Sequence, residues 1–142
     1  YNLQLPGAAR QHVQKTAAIM SPVELPMASG EVQLGQLLKD MHEAAELASA
    51  AEWRLEDATQ ADAAAEATLH RIGNRASALP DGCSDATLAR VKAQHEVAIA
   101  EFWARTADTG RASEEARAAK IASIEATFMY GRSCGARTGG CV

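Results

Sequence analysis

Histidine and cysteine are the residues of this 142-residue chain best suited to bind a metal or attack a substrate. No two histidines have a metal-binding spacing such as His-x-x-x-His, and no Cys-x-x-Cys pair occurs. No Gly-x-Ser-x-Gly frame holds a serine nucleophile, and no glycine loop is placed to hold phosphate. The four histidines are His12, His42, His70 and His95. We therefore expect no catalytic residues, no metal site and no cofactor, and we expect that the protein is not an enzyme.

A heptad repeat runs through the middle of the chain and contains one acid, Asp62. Its a positions are Leu34, Met41, Ala48, Leu55, Asp62 and Leu69, and its d positions are Leu37, Ala44, Ala51, Ala58, Ala65 and Ile72. The two series lie three residues apart, which is typical of a coiled-coil seam. Leucine and alanine share these positions, so the helix is able to approach a partner closely.

Helix start and stop signals divide the chain into three parts. Residues 1–29 are predicted to be a lead-in, with a short helix over residues 8–20 and a proline-rich loop. Residues 30–131 are predicted to form an antiparallel helical hairpin with its turn near 80–84 and with Ser84 as the cap of the second helix. Residues 132–142 are predicted to be a tail with glycine and cysteine that continues into further chain. The predicted fold is therefore all-α: a long antiparallel coiled-coil hairpin with a short third N-terminal helix.

The predicted turn also gives a pairing between the two helices. With its centre near residue 80, each residue faces the one whose number brings the sum to about 160, so Asp62 lies near Ala98 and His95. Asp62 is interpreted as a polar position that sets the register by pairing with His95. The alternative is a buried acid with a functional role.

The second helix has its apolar residues at a less regular spacing. They are Leu88, Val91, Ala98, Phe102, Ile121, Ile124 and Phe128. Because the step from Phe102 to Ile121 does not fit the heptad, we expect a register shift or bend near Thr109-Gly110.

Two tryptophans lie off the seam. Trp53 falls at an f position, facing away from the seam, and the predicted pairing places Trp103 at a similar height. We interpret them as a second packing surface, since large exposed aromatics usually have a partner. Residues 8–20, a dimer partner or further polypeptide would cover it. The alternative is an aromatic ligand site.

The cysteines lie at opposite ends of the predicted hairpin. Cys83 is at the turn, whereas Cys134 and Cys141 follow the second helix. A disulfide requires Cα atoms within about 7 Å, so Cys83 is not expected to pair with either of them. Cys134 and Cys141 are able to close a small glycine-containing loop, which leaves Cys83 unpaired or bound to missing chain. This cysteine usage favours an oxidising, extracellular setting.

Charge and hydropathy limit the partners. The net charge is −4 and no basic block is present, so nucleic acid is not an expected partner. No uncharged stretch approaches the ~18 residues of a membrane span, so no transmembrane segment is expected. A homodimer or further polypeptide of the same protein is the expected partner.

The end of the second helix carries a family resemblance. Residues 119–128 read Ala-Lys-Ile-Ala-Ser-Ile-Glu-Ala-Thr-Phe, and a loop with glycines and cysteines follows over 133–142. With the alanine-rich hairpin and its lead-in, this resembles the N-terminal domain of trypanosome variant surface glycoproteins, or a related alanine-rich trypanosome surface protein. The resemblance implies an extracellular, cell-surface homodimer, lipid-anchored (GPI) through a missing C-terminal region.

The function that the resemblance implies is a non-catalytic surface coat. Such a coat acts as a steric shield and a target of host antibodies, and it evades immunity by antigenic variation. One alternative is a surface nutrient receptor of the same helical architecture. Another is an intracellular coiled-coil scaffold or assembly subunit. A disulfide between Cys134 and Cys141 favours a surface protein, and reduced thiols favour the scaffold.

Overall fold

The computed structural model describes residues 29–138, with side chains over 30–136, and within them the chain is helical apart from one short connection. Helix α1 spans Ser29–Ser77 and helix α2 spans Asp85–Thr138. The two helices pack against each other, and no strand occurs in this part of the chain. The all-α hairpin is therefore confirmed. The third helix predicted over residues 8–20 lies outside the described residues.

Residues 78–84 connect the helices through local hydrogen bonds and one glycine. The last turn of α1 closes where the amide of Ala78 donates to the carbonyl of Asn74 at 3.0 Å. Pro80 accepts from the amide of Cys83 at 3.2 Å. Gly82 has a φ of 91°, which a residue with a Cβ rarely adopts. Proline and glycine thus fix the reversal.

Helix α2 begins with the predicted serine cap. The amide of Thr87 donates to Ser84 Oγ at 3.3 Å, and the amides of Thr87 and Leu88 donate to the Ser84 carbonyl. Asp85 lies in the first turn, where its negative charge stabilises the amino end of the helix. This cap is confirmed.

The C-terminal end of α2 differs from the prediction. The helix was expected to end at Gly131, but it continues to Thr138 and takes in Cys134 and Gly135. The predicted tail over 132–142 is therefore wrong for its first seven residues. An internal glycine costs a helix only about 1 kcal/mol relative to alanine, so Gly131 does not by itself end α2.

The interhelical pairing also differs from the prediction. Thr106 contacts Asp62, and Thr109 contacts Ala58, so paired numbers sum to 168 or 167 rather than 160. A Cβ on Gly73 would lie 4.0 Å from His95 Nε2, which agrees with the same sum. The predicted pairing of Asp62 with His95 is therefore wrong. The pairs of unit 2 are thus displaced from the predicted ones by seven or eight residues, which is about two helical turns.

The described residues belong to two compact units. Unit 1 contains residues 29–51 together with residues 115–138, and unit 2 contains residues 52–114. Small side chains dominate the core of both units. The buried apolar residues are Leu37, Ala44, Ala51 and Ala116 in unit 1 and Ala65, Val91 and Ala98 in unit 2.

The twelve heptad positions of α1 are all buried or half-buried. On α2, a strict seven-residue series is likewise buried or half-buried: His95, Phe102, Thr109, Ala116, Ser123 and Tyr130. This series keeps its spacing of seven through Thr109-Gly110, whereas the companion series from Val91 and Ala98 meets the exposed Arg105, so the expected register shift or bend stays a prediction. From Ala116 to Ala126, alanine and serine lie at the buried or half-buried positions of α2, whereas Ile121, Ile124 and Phe128 are exposed.

Candidate interaction surfaces

A polar contact crosses the seam within unit 2. The hydroxyl of Thr106 donates to Asp62 Oδ1 at 2.9 Å, and the hydroxyl of Thr109 donates to the carbonyl of Ala58 at 3.1 Å. Both bonds join α1 to α2, and both acceptors are half-buried. Both bonds form in only one axial register of the two helices, since moving α2 by one turn along α1 would break them. This arrangement specifies register rather than chemistry, because the carboxylate meets only a neutral hydroxyl.

A second acid, Asp40, lies buried in unit 1 at a position that the sequence analysis did not single out. Its side chain is 7% exposed. Gln36 Nε2 donates to Oδ1 at 2.8 Å, whereas Oδ2 has no hydrogen-bond partner. A buried oxygen without a partner costs stability. Asp40 stands one residue before the seam position Met41, at a g position, which borders the seam but is commonly charged and only partly covered.

The remaining groups capable of metal chemistry do not converge. Within residues 30–136 no group of three or more histidine, cysteine, aspartate or glutamate side chains is placed to hold a metal ion. His70 Nε2 lies 3.7 Å from Glu66 Oε1, and both side chains are exposed. His42 is exposed, His95 is half-buried, and His12 lies outside the described residues.

Cys83 and Cys134 are both half-buried free thiols. Cys134 lies one helical turn after Tyr130, and a hydrogen bond between these two side chains raises the pKa of the Tyr130 phenol. Charge on Cys134 adds to the rise, since a thiolate disfavours a neighbouring phenolate. Cys141 lies outside the described residues, so its pairing with Cys134 stays a prediction.

Unit 2 exposes both tryptophans. Trp53 is 73% exposed on α1 and Trp103 is 63% exposed on α2. Trp103 meets Phe102 edge-to-face, with ring centroids 5.5 Å apart. Because paired numbers sum to 167 or 168, Trp103 is level with residue 64 or 65 and not with Trp53. The two aromatics thus mark separate surfaces, and their predicted common height is wrong.

An apolar groove with a basic rim runs between the helices of unit 2. Its apolar floor includes Ile72 of α1 and Val97 and Ala98 of α2. Three guanidinium groups surround it, from Arg71, Arg75 and Arg90. No ion pair holds any of the three among the described residues, whereas Glu101 at the far end lies 3.7 Å from Arg105. The groove therefore favours a ligand that combines negative charge with apolar surface.

Unit 1 exposes an apolar stripe on α2 at helical spacing. Ile121, Ile124 and Phe128 (the α2 stripe) are 48%, 60% and 63% exposed. The guanidinium of Arg132 lies 5.9 Å from the centre of the Phe128 ring. Three large apolar side chains on consecutive turns form a surface of the kind that packs against another helix.

Comparisons with protein-family models, with curated proteins and with solved structures each find no match. Of the helices described, none is both long and apolar enough to cross a membrane. The features that bear on function are therefore the exposed surfaces and the family resemblance of the sequence.

Proposed function

We propose that this chain is a non-catalytic structural protein whose helical hairpin acts by packing against further polypeptide, and that it forms part of a cell-surface coat. The observation that carries the packing role is the exposure of large apolar side chains on turns that face away from the seam. Trp53, Trp103 and Phe128 are each more than half exposed. Leaving such groups in water is unfavourable, so the functional state covers them.

The alanine-rich seam supports the same proposal. Small buried residues such as Ala44 and Ala51 in unit 1 and Ala98 in unit 2 let two helices approach closely, as a tightly packed structural protein requires. The residues that cover the exposed tryptophans in this proposal belong to segment 8–20, to a dimer partner or to further polypeptide. In this proposal the coat is a lipid-anchored homodimer, and host antibodies are its external partners.

The test of the coat is the location of the protein on intact cells of its native source. A membrane-impermeant biotinylation reagent labels surface lysines, and a phospholipase that cleaves lipid anchors releases an anchored coat protein. Labelling of intact cells together with release supports the proposal. Labelling only after lysis contradicts the surface location and leaves the packing role to the second candidate.

The second candidate is an intracellular scaffold or assembly subunit. It is favoured by the place of Cys134, which lies within α2 beside Tyr130 and not in an exposed disulfide loop. Peptide mapping without reduction separates the two. Three free thiols favour the scaffold, and a bridge between Cys134 and Cys141 favours the coat.

A further inference from the structure

One line of residues on α1 of unit 2 is exposed along its whole length. We call it the α1 stripe; it consists of Trp53, Asp57, Gln60, Ala64, Ala67, Arg71 and Arg75, all of them exposed. At about 3.6 residues per turn, the eighteen residues from Trp53 to Arg71 make about five turns, so the stripe stays on one face of the helix. That face lies opposite Asp62 and the seam.

The two ends of the α1 stripe carry opposite charge. Asp57 lies at the Trp53 end, where Glu52, Arg54 and Glu56 are also exposed, so that three acids and one arginine leave this end net acidic. Arg71 and Arg75 lie at the other end and line the apolar groove. None of these six charged side chains has an ion-pair partner in the part of the chain that the structure describes.

The side chains in the middle of the α1 stripe are small. Ala64 and Ala67 lie there, and both are exposed. Alanine at this place lets another helix come close, as it does in the seam on the opposite side of α1. The stripe therefore has an acidic aromatic end, a small centre and a basic end.

A surface with this order is complementary to itself when one copy is reversed. We propose that the α1 stripe binds the α1 stripe of a second copy in antiparallel orientation, about a two-fold axis that passes near Ala64. Such an axis pairs residues whose numbers sum to about 128. Asp57 then meets Arg71 of the other copy, and the same contact recurs on the far side of the axis.

The groove receives the exposed tryptophan in this arrangement. Trp53 of one copy reaches Arg75 of the other, next to the apolar floor formed by Ile72 and Val97. An indole against a guanidinium is a favourable cation–π contact, and the floor covers the rest of the ring. This contact thus covers an aromatic that is 73% exposed and places it against the apolar lining and an arginine of the groove.

This dimer goes beyond the proposed function and does not depend on it. Copies that stand side by side in the same direction on one membrane have parallel α1 helices and do not make this contact. The surface-labelling test and the dimer test therefore succeed or fail separately.

Charge-reversal variants of the full chain test the pairing of Asp57 with Arg71 of the other copy. Asp57→Arg alone and Arg71→Asp alone each place like charges at both ends of the axis, and we expect each to raise the dimer dissociation constant at least about tenfold, measured by sedimentation velocity. The combined variant D57R/R71D exchanges the two charges, so we expect a dissociation constant near that of the parent chain. Glu96→Arg and Lys92→Asp are matched controls, since both residues are exposed on α2.

A cross-link at the axis gives a second, independent readout. In a chain whose three cysteines are replaced by serine, Ala64→Cys is expected to form a disulfide with its own copy under mild oxidation, much faster than the exposed control Ala100→Cys. The proposal is overturned by a chain that stays monomeric, by a double variant as weak as the single ones, or by equal cross-linking of the two cysteine variants. Circular dichroism checks that each variant keeps its helices.

Discussion

The hydrogen bond between Thr106 and Asp62 gives the sharpest test of the interhelical register. Thr106→Val keeps the shape of the side chain and removes the hydroxyl that donates to Asp62 Oδ1 at 2.9 Å. A hydrogen bond to a charged group contributes about 1.5–3 kcal/mol. Because Asp62 is half-buried and water reaches it in part, we expect Thr106→Val to lower the free energy of unfolding by about 1–2 kcal/mol.

Substitution of Asp62, the acceptor of this hydrogen bond, is expected to have a different effect on the free energy of unfolding. Asp62→Leu completes the apolar seam and gains part of the roughly 1.5–3 kcal/mol that burial of a leucine provides. This gain offsets the lost hydrogen bond, so we expect Asp62→Leu to leave stability unchanged or to raise it. In that background Thr106→Val removes no contact to Asp62, and we expect it to cost less than about 0.5 kcal/mol.

Urea titration followed by helical circular dichroism measures all four chains of this cycle. The coupling free energy between Asp62 and Thr106 is then expected to be about 1 kcal/mol. A cost of Thr106→Val that is the same with aspartate or leucine at position 62 refutes the register. In the pairing with a sum of 160, His95→Ala and not Thr106→Val would couple to Asp62, so the same cycle with His95 is the control.

Three further predictions concern unit 1. Asp40→Asn keeps an oxygen for Gln36 and replaces the unpartnered carboxylate oxygen with an uncharged amide nitrogen, so we expect the free energy of unfolding from urea titration to rise by about 1 kcal/mol; a fall contradicts this expectation. Ala51 is 2% exposed, so Ala51→Trp overpacks a close seam; we expect a loss of about 3 kcal/mol or more and a lower melting temperature, and an unchanged melting temperature contradicts the seam assignment. Cys134→Ala removes the group that raises the pKa of Tyr130, so we expect that pKa to fall towards its ordinary value of about 10, measured by phenolate absorbance in a chain whose other tyrosine is phenylalanine; an unmoved pKa shows that Cys134 is not its cause.

The sequence predicts α1 well because its heptads combine leucine and alanine at a constant spacing. Each of the twelve positions taken from that repeat, from Leu34 to Ile72, is buried or half-buried. Proline, glycine and serine near residue 80 likewise predict the connection and the start of α2, since each has a strong local preference. These features depend on neighbours within a few residues, which a sequence displays directly.

Hydrophobicity alone does not identify the inner face of α2. Ile121, Ile124 and Phe128 are more apolar than Ala116, Ser123 and Ala126, yet the small residues face inward. Two helices that pack closely leave no room for large side chains between them, so these side chains lie on the solvent-exposed face. A prediction from hydrophobicity alone then assigns the wrong face to the interface. The offset between the helices was missed for a related reason: the length of a connection does not determine how far α2 extends before it meets α1.

Some of the candidate surfaces are predictable from the sequence, and others are not. Trp53 and Trp103 were found from sequence, because an aromatic off the heptad is conspicuous. The groove and Asp40 were not found, because both depend on how two helices are aligned. Three arginines, at positions 71, 75 and 90, come together only after the hairpin has closed.

The alanine seam has a consequence for how the molecule opens. Among the described residues no large side chain is fully buried, so the stabilising contacts are many, small and spread along the helices. A protein held in this way has no single cluster whose loss releases the whole structure at once. Amide hydrogen exchange should therefore give a gradient, with protection falling turn by turn towards the helix ends, and a bound partner should appear as a local rise in protection at the turns it covers.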